Sequence, residues 1–345
     1  MAQLKAVFRK AKAVFKVKLS LGKRAFGFRM LLMKIILYFL VFLLSACTLA
    51  PQQASRAYIT NQGDDTVSVI DIAQNKVIAT VKVGKAPVGV AVSKALQRVF
   101  ISNVESNNIS VIETQNNTVI KSIALKGAPV GLSMAPDNRT LYVADWFSDK
   151  ILAINTSNFD DRREVIVAKA PAGLVVSPDS KTLYVAARDS NEIVVINTAD
   201  LKISKRIAVG KHPFGISLNG DSLYVVNVYE NSISVINTKT WAQTKIKVGE
   251  HPYCAVASPN NKTLYVTNTQ DDTVSVIDLS THKIIATIEV GMTPEGISYA
   301  LEGALVLASS WGENKVSVID AKTNTLKGHI KTGDKSRAFG EFILQ

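Results

Sequence analysis

Apolar and polar positions alternate along most of this chain in runs of four to seven residues, separated by turn-forming residues. One run returns seven times. Val67–Asp71 reads Val-Ser-Val-Ile-Asp, and relatives of it fill Ile109–Glu113, Ile151–Asn155, Ile193–Asn197, Ile233–Asn237, Val274–Asp278 and Val316–Asp320. The residues that end these runs are 42, 42, 42, 40, 41 and 42 positions apart. β-Branched residues in strict alternation suit a pleated strand. A fixed period near 40 marks a propeller or a solenoid. Within one period, residues 253–290, four such runs follow one another: Tyr253–Ser258, Thr263–Asn268, Val274–Asp278 and Ile284–Val290, with Pro259-Asn260-Asn261 as a turn. Four short antiparallel strands make one propeller blade.

The ends of the repeat favour a closed ring over an open solenoid. Arg56–Asn61 is a second strand with no first strand before it, and Ala338–Leu344 is a first strand with no second strand after it. Pairing them completes one blade and removes an open sheet edge. Counted by first strands at Val88, Val130, Ala172, Phe214, Tyr253, Glu295 and Phe339, the blades number seven. The expected fold is all-β, a seven-bladed β-propeller over residues 56–345. Each blade has four antiparallel strands, and the C-terminal first strand joins the N-terminal blade.

The second strands carry a further signature. Leu264-Tyr-Val-Thr-Asn268, Ala57-Tyr-Ile-Thr-Asn61 and Leu223-Tyr-Val-Val-Asn227, with the Ser-Pro-Asp-Ser-Lys-Thr-Leu-Tyr-Val phrase at 177–185, resemble the YVTN-type β-propeller repeat family. The resemblance spans residues 56–345. It implies a propeller in the bacterial cell envelope, as in YncE-like periplasmic proteins, and implies location and shape better than activity. Related propellers include lactonase-like enzymes, a streptogramin lyase and the haem d1 domain of nitrite reductase.

Residues 1–46 read as a leader. Lys34 precedes the apolar run Ile35–Leu44, too short to cross a bilayer comfortably, and small residues follow. Leu44-Ser45-Ala46-Cys47 resembles a bacterial lipobox, which implies cleavage before Cys47 and lipidation of its thiol. The long basic start suggests that translation begins at Met30 or Met33. Residues 47–55 would then be a tether of at most ~30 Å. Thr48 differs from the Asp that marks inner-membrane retention in enteric lipoproteins, so the resemblance implies the periplasmic side of the outer membrane in such a cell.

The leader changes the charge argument. The full chain is +12, but residues 1–46 hold ten cations and no anions, which leaves 30 Lys and Arg against 28 Asp and Glu. A nearly neutral body gives little support for a nucleic-acid partner. With Cys47 acylated, Cys254 stands alone, so no disulfide is expected. Cys254 fills a slot that is glycine in the other repeats and reads as a small buried residue.

Function is sought where the repeats differ, on the loops of one face. The inner loops follow an x-Pro-x-Gly pattern. Before the proline position stand Ala86, Ala128, Ala170, His212, His251, Thr293 and Arg337; after it stand Val88, Val130, Ala172, Phe214, Tyr253, Glu295 and Phe339. Three blades are small and apolar here, and four carry His, Arg, Glu and aromatics. This predicts a one-sided pocket at the channel mouth, lined by His212, Phe214, His251, Tyr253, Glu295, Arg337 and Phe339. Lys85, Lys126, Lys169, Lys211 and Lys335 would make the mouth basic. The second loop set always has Asp or Asn at one position (Asp65, Asn107, Asp149, Asn191, Asn231, Asp272, Asn314), which suits tight turns. Trp146, Phe147, Arg188, Tyr229 and Trp311 exceed what a turn needs and suit a binding surface.

His212, His251 and Glu295 are zinc-competent residue types on successive blades, which makes a divalent metal the alternative to having no cofactor. No C-x-x-C-H, G-x-S-x-G, P-loop or dinucleotide fingerprint occurs. The reading is a non-catalytic envelope lipoprotein, membrane-held through Cys47 and monomeric. Its loop face would bind a protein, glycan or small anionic ligand. A propeller hydrolase or lyase is one alternative, and single-stranded nucleic-acid binding, as the YncE-like resemblance implies, is another.

Overall fold

The computed structural model describes residues 55–345. The expected leader and the expected lipidation at Cys47 fall outside the described residues.

Seven sheets of four or five strands form the described chain. We number the blades from the first complete one. Blade 1 holds strands Pro87–Ser93, Arg98–Asn103, Asn108–Glu113 and Thr118–Ala124. Blades 2 to 6 repeat this from Pro129, Pro171, Pro213, Pro252 and Pro294. Blade 7 joins the two ends of the described chain: Arg56–Asn61, Thr66–Asp71 and Lys76–Lys82 pair in order, and C-terminal segments lie against Arg56–Asn61. Its inner edge matches Asn61 with Ser336, Thr60 with Arg337, Ala57 with Ile343 and Arg56 with Leu344.

Burial follows from stacking. Second and third strands lie between neighbouring blades and are buried on both faces, as in Ala57–Asn61 and Val274–Ile277. Continuous apolar runs satisfy that environment. Fourth strands face solvent, and each blade commits one aliphatic inward there: Val81, Ile123, Val167, Ile207, Ile246, Ile288 and Ile330. The tyrosines of the repeated phrase bury their rings and reach the next blade with their hydroxyls. Tyr58 donates to Asn117 Oδ1 at 3.1 Å and Tyr224 to Asn261 Oδ1 at 2.7 Å. A buried Tyr needs such a partner.

First strands crowd around the axis. A Cβ on Gly131 would meet the Ala172 carbonyl oxygen at 2.0 Å, and one on Gly173 would meet that of Phe214 at 2.3 Å. That close approach explains the glycine. Cys254 is buried as expected.

The structure corrects the register of blade 7. Lys335, not Arg337, has the left-handed backbone of the pre-proline residues (φ 53°), and its N–H binds Asn314. Ser336 therefore replaces proline, Arg337 takes the place of Glu295 and Tyr253, and Ala338 takes the glycine slot. The expected Ala338–Leu344 strand is broken: Phe339-Gly340 turns aside and pairs in parallel with Gly89-Val90 of blade 1. Gly340, at φ 111°, permits that excursion.

Candidate functional site

Two loop sets share one face: those joining fourth to first strands, and those joining second to third. The residue before the proline is left-handed in five of the six proline-marked blades, Ala128 being the exception: Ala86 (φ 51°), Ala170 (φ 52°), His212 (φ 60°), His251 (φ 48°) and Thr293 (φ 53°). That conformation is unfavourable for residues other than glycine, so it needs support. A side chain from the preceding loop supplies it. Asn191 accepts from His212 N at 2.8 Å, Asn231 from His251 N at 3.1 Å and Asp272 from Thr293 N at 2.8 Å. Asp65 and Asp149 do the same for Ala86 and Ala170. The invariable Asp or Asn position is left-handed in all seven loops and acts as this latch in six, Asn107 being the exception.

The latches aim the following side chains at the axis, where they meet. Arg337 Nε donates to Glu295 Oε2 at 2.6 Å, Nη2 to the Tyr253 hydroxyl at 2.9 Å and Nη1 to Gln62 Oε1 at 3.2 Å. Gln62 Oε1 also accepts from Trp311 Nε1 at 3.1 Å. Phe214 lies beside them, with ring centroids 4.4 Å from Tyr253, 4.8 Å from Phe339 and 5.7 Å from Trp146. Glu295 is 8% exposed, and Phe214 and Phe339 are 4% exposed. The expected pocket is therefore filled. Its rings and its ion pair form a plug, because the register shift places Arg337 beside Glu295 and not above it. Burial alone would lower the Arg337 pKa, but Glu295 and Tyr253 outweigh it and hold the guanidinium charged. Burial raises the Glu295 carboxyl against the pull of Arg337.

The two histidines sit outside the plug with Tyr229 between them. Its ring stacks on His212 at 4.1 Å and meets His251 edge-on at 5.5 Å. Burial and then Arg188 lower the His212 pKa, although Asp189 Oδ1 lies 3.7 Å from Nδ1. The three-residue metal set is not assembled: Tyr229 separates the imidazoles, and Glu295 is spent on Arg337. Among the described residues, no group of three or more His, Cys, Asp or Glu is placed to hold a metal ion.

Around the plug the face carries exposed aromatics and charges of both signs. The Arg188 guanidinium lies 3.9 Å over the Trp146 ring, and Lys335 Nζ lies 5.3 Å over Trp311. Phe147 is 78% exposed and Tyr229 60%. Lys85, Lys126, Lys169 and Lys211 are exposed and make no ion pair among the described residues. Carboxylates stand among them: Glu230 accepts from Lys211 N and pairs with Lys245, Asp271 accepts from Glu250 N, and exposed Glu105 and Glu250 make no ion pair among the described residues. Sequence reasoning missed Gln62, whose contact with Arg337 spans 275 positions. It also missed exposed Met292 beside Gly312 on the same face.

The model of the YNCE-like β-propeller matches residues 91–222, and that of the cytochrome D1 haem domain matches residues 217–342. No curated protein matches the chain. Among solved structures, Kuenenia stuttgartiensis hydrazine synthase is 20% identical with a TM-score of 0.71, covering 76% of this chain and 91% of that one. A functionally unknown protein from Desulfotomaculum acetoxidans is 14% identical with a TM-score of 0.71, covering 82% and 99%. The dihydro-heme d1 dehydrogenase NirN in complex with DHE is 13% identical with a TM-score of 0.65, covering 84% and 75%. At these identities the likeness is one of fold. The chain is a seven-bladed β-propeller, similar to the YNCE-like propellers over residues 91–222.

Proposed function

We propose that this chain is a non-catalytic binding module of the cell envelope, anchored through Cys47, whose loop face docks a protein partner. The observation that carries this reading is the contrast across one face: a sealed centre, ringed by exposed aromatics. The sealed mouth leaves no cleft for a small substrate. Glu295, Arg337 and Tyr253 satisfy one another and leave no free acid, base or nucleophile there. Phe147 and Tyr229 offer large, stiff contact area, the kind that anchors protein interfaces.

The match to a haem d1 domain raises a second reading, which the residues here do not fit. Rings 4.4–4.8 Å apart fill the mouth. The channel beneath holds about 270 Å³, under the ~300 Å³ at which drug-sized ligand sites begin.

Photo-crosslinking in whole cells tests the proposal. A crosslinking residue at Phe147 or Tyr229 is expected to yield a discrete protein adduct, and one at Gln74 on the opposite face is expected to yield none. Adducts of equal yield from all three positions, or none from the loop face, would contradict it.

A further inference from the structure

The rim of the propeller is uneven. Fourth strands are its outer edges, and they run from the turn face to the loop face. On four consecutive blades the turn-face half of that strand exposes large aliphatics: Ile284 and Ile285 on blade 5, Leu326 on blade 6, Ile78 on blade 7, and Val119 and Ile120 on blade 1. Neighbouring fourth strands approach within 8 Å between Cα atoms from blade 5 through 6 and 7 to 1. Across the ring, the fourth strands of blades 3 and 4 carry Ser204-Lys205-Arg206 and Thr244-Lys245, and expose no large aliphatic. Ile166 of blade 2 is exposed at the loop-face end of its strand. Single exposed aliphatics are ordinary, but a contiguous patch marks an interaction site.

The charges on this arc are one-sided. Lys76, Lys121, Lys283 and Lys327 stand exposed among the aliphatics. Lys327 Nζ lies 3.6 Å from Asp320, and the other three make no ion pair among the described residues. Carboxylates at this level are turned into the adjoining turns: Asp71 accepts from Gln74 N, Asp278 from Ser280 N and Thr281 N, and Asp320 from Lys322 N and Thr323 N. Glu113 is half-buried. Exposed Glu289 stands at the loop-face end of its strand, level with exposed Lys82 and Lys331. On blades 3 and 4 the cations are engaged: Arg206 pairs with Glu192, Lys245 with Glu230, and Lys205 Nζ lies 5.3 Å over the Trp241 ring. Lysine on an edge strand wards off other strands, but the aliphatics beside it here gain nothing from facing water.

We infer that this corner of the rim, where blades 5, 6, 7 and 1 meet the turn face, docks on a lipid surface bearing anionic headgroups. Aliphatics immersed in the interfacial layer leave water, while the lysines lay their stems beside them and meet the headgroups with their ammonium groups. Isoleucine, leucine and valine without aromatics suit lipid better than a protein hot spot, which favours Trp, Tyr and Arg. The point of chain entry agrees. The carbonyl of Ser55, the first described residue, accepts from Ile72 N, in the turn before the fourth strand of blade 7, within the arc. The inference rests on the anchored reading proposed above for a membrane within reach: Cys47 lies eight residues before Ser55, a span of at most ~30 Å. It does not depend on the loop-face partner.

The full chain, reconstituted into vesicles of phosphatidylcholine with a quarter phosphatidylglycerol, tests it. An environment-sensitive fluorescent residue is encoded at Ile120 or Ile285, or at Thr244 on the opposite rim, and quenched by a nitroxide carried on the lipid. Quenching at Ile120 and Ile285 is expected to exceed that at Thr244 at least about twofold. It is expected to fall to the Thr244 level in Lys76→Glu/Lys121→Glu/Lys283→Glu, whose exposed side chains leave the fold intact by circular dichroism, and in vesicles of phosphatidylcholine alone. Equal quenching on both rims, none at Ile120 and Ile285, or quenching that survives the charge reversal would each overturn the inference. An emission shift that grows with protein concentration in detergent without vesicles would assign the patch to a second copy of this chain and overturn it too. Flotation of the vesicles in high salt reports the anchor separately. A chain that floats without rim quenching keeps the anchored reading and loses the inference. A chain that does not float loses the anchored reading, and the same probes, titrated with the anionic vesicles at low salt, then decide the rim alone.

Discussion

Arg337 and Glu295 are the residues on which the loop face turns. They form a buried pair with Tyr253 and Gln62 on the remaining donors. Arg337→Ala leaves the Glu295 carboxylate buried and unpaired, and breaking such a pair costs about 3–5 kcal/mol. Urea denaturation is expected to show a loss of that order, part of which the double variant Arg337→Met/Glu295→Gln regains. Glu341 gives a prediction of opposite sign. Burial raises its folded-state pKa above the unfolded value. The stability it contributes is present below the unfolded pKa, about 4.3, and is lost as pH rises through the folded one. Thermal melts are therefore expected to show Glu341→Gln more stable than wild type at neutral pH, with the gap closing below about pH 4. A gap that is independent of pH would contradict this.

At the scale of elements, the first strands depend on glycine for their approach to one another. Gly131→Ala places a Cβ 2.0 Å from the Ala172 carbonyl. Both atoms belong to packed backbone, so the strain is expected to cost about 1–3 kcal/mol, read as a lowered urea midpoint at unchanged slope. A stability equal to wild type would mean that the channel is looser than described. The strands themselves were legible in the sequence. Thr263–Asn268 was expected and found, and Tyr253–Ser258 and Val274–Asp278 moved by one residue. Their legibility has a physical cause: each blade repeats one burial environment, so each repeat shows the same alternation. Blade 7 was misread by two positions because its inner strand lacks the proline that marks the others. A chain without that marker carries no local sign of where the left-handed residue falls. Only the hydrogen bond from Lys335 N to Asn314 fixes it.

At the scale of the whole molecule, the ring brings together what the sequence keeps apart. Gln62 and Arg337 touch because the two ends of the described chain share a blade, and Tyr253 meets Arg337 across two blades. Comparison of the repeats could find the irregular sector, since His212, Phe214, His251, Tyr253, Glu295 and Arg337 differ from the small residues of blades 1 to 3. It could not show whether those side chains line a cleft or fill one. That depends on ring packing and on the register of a strand. The outcome is a propeller closed at its loop face and open at its turn face, with aromatics and lysines on the first and a lone carboxylate in the second. The central functional claim is that the closed face docks a protein partner. The most direct test is the affinity of the purified full chain for the crosslinked partner. Affinity is expected to drop at least about tenfold in Phe147→Ser/Tyr229→Ser, with Glu341→Gln unchanged. An affinity indifferent to the double substitution would contradict it.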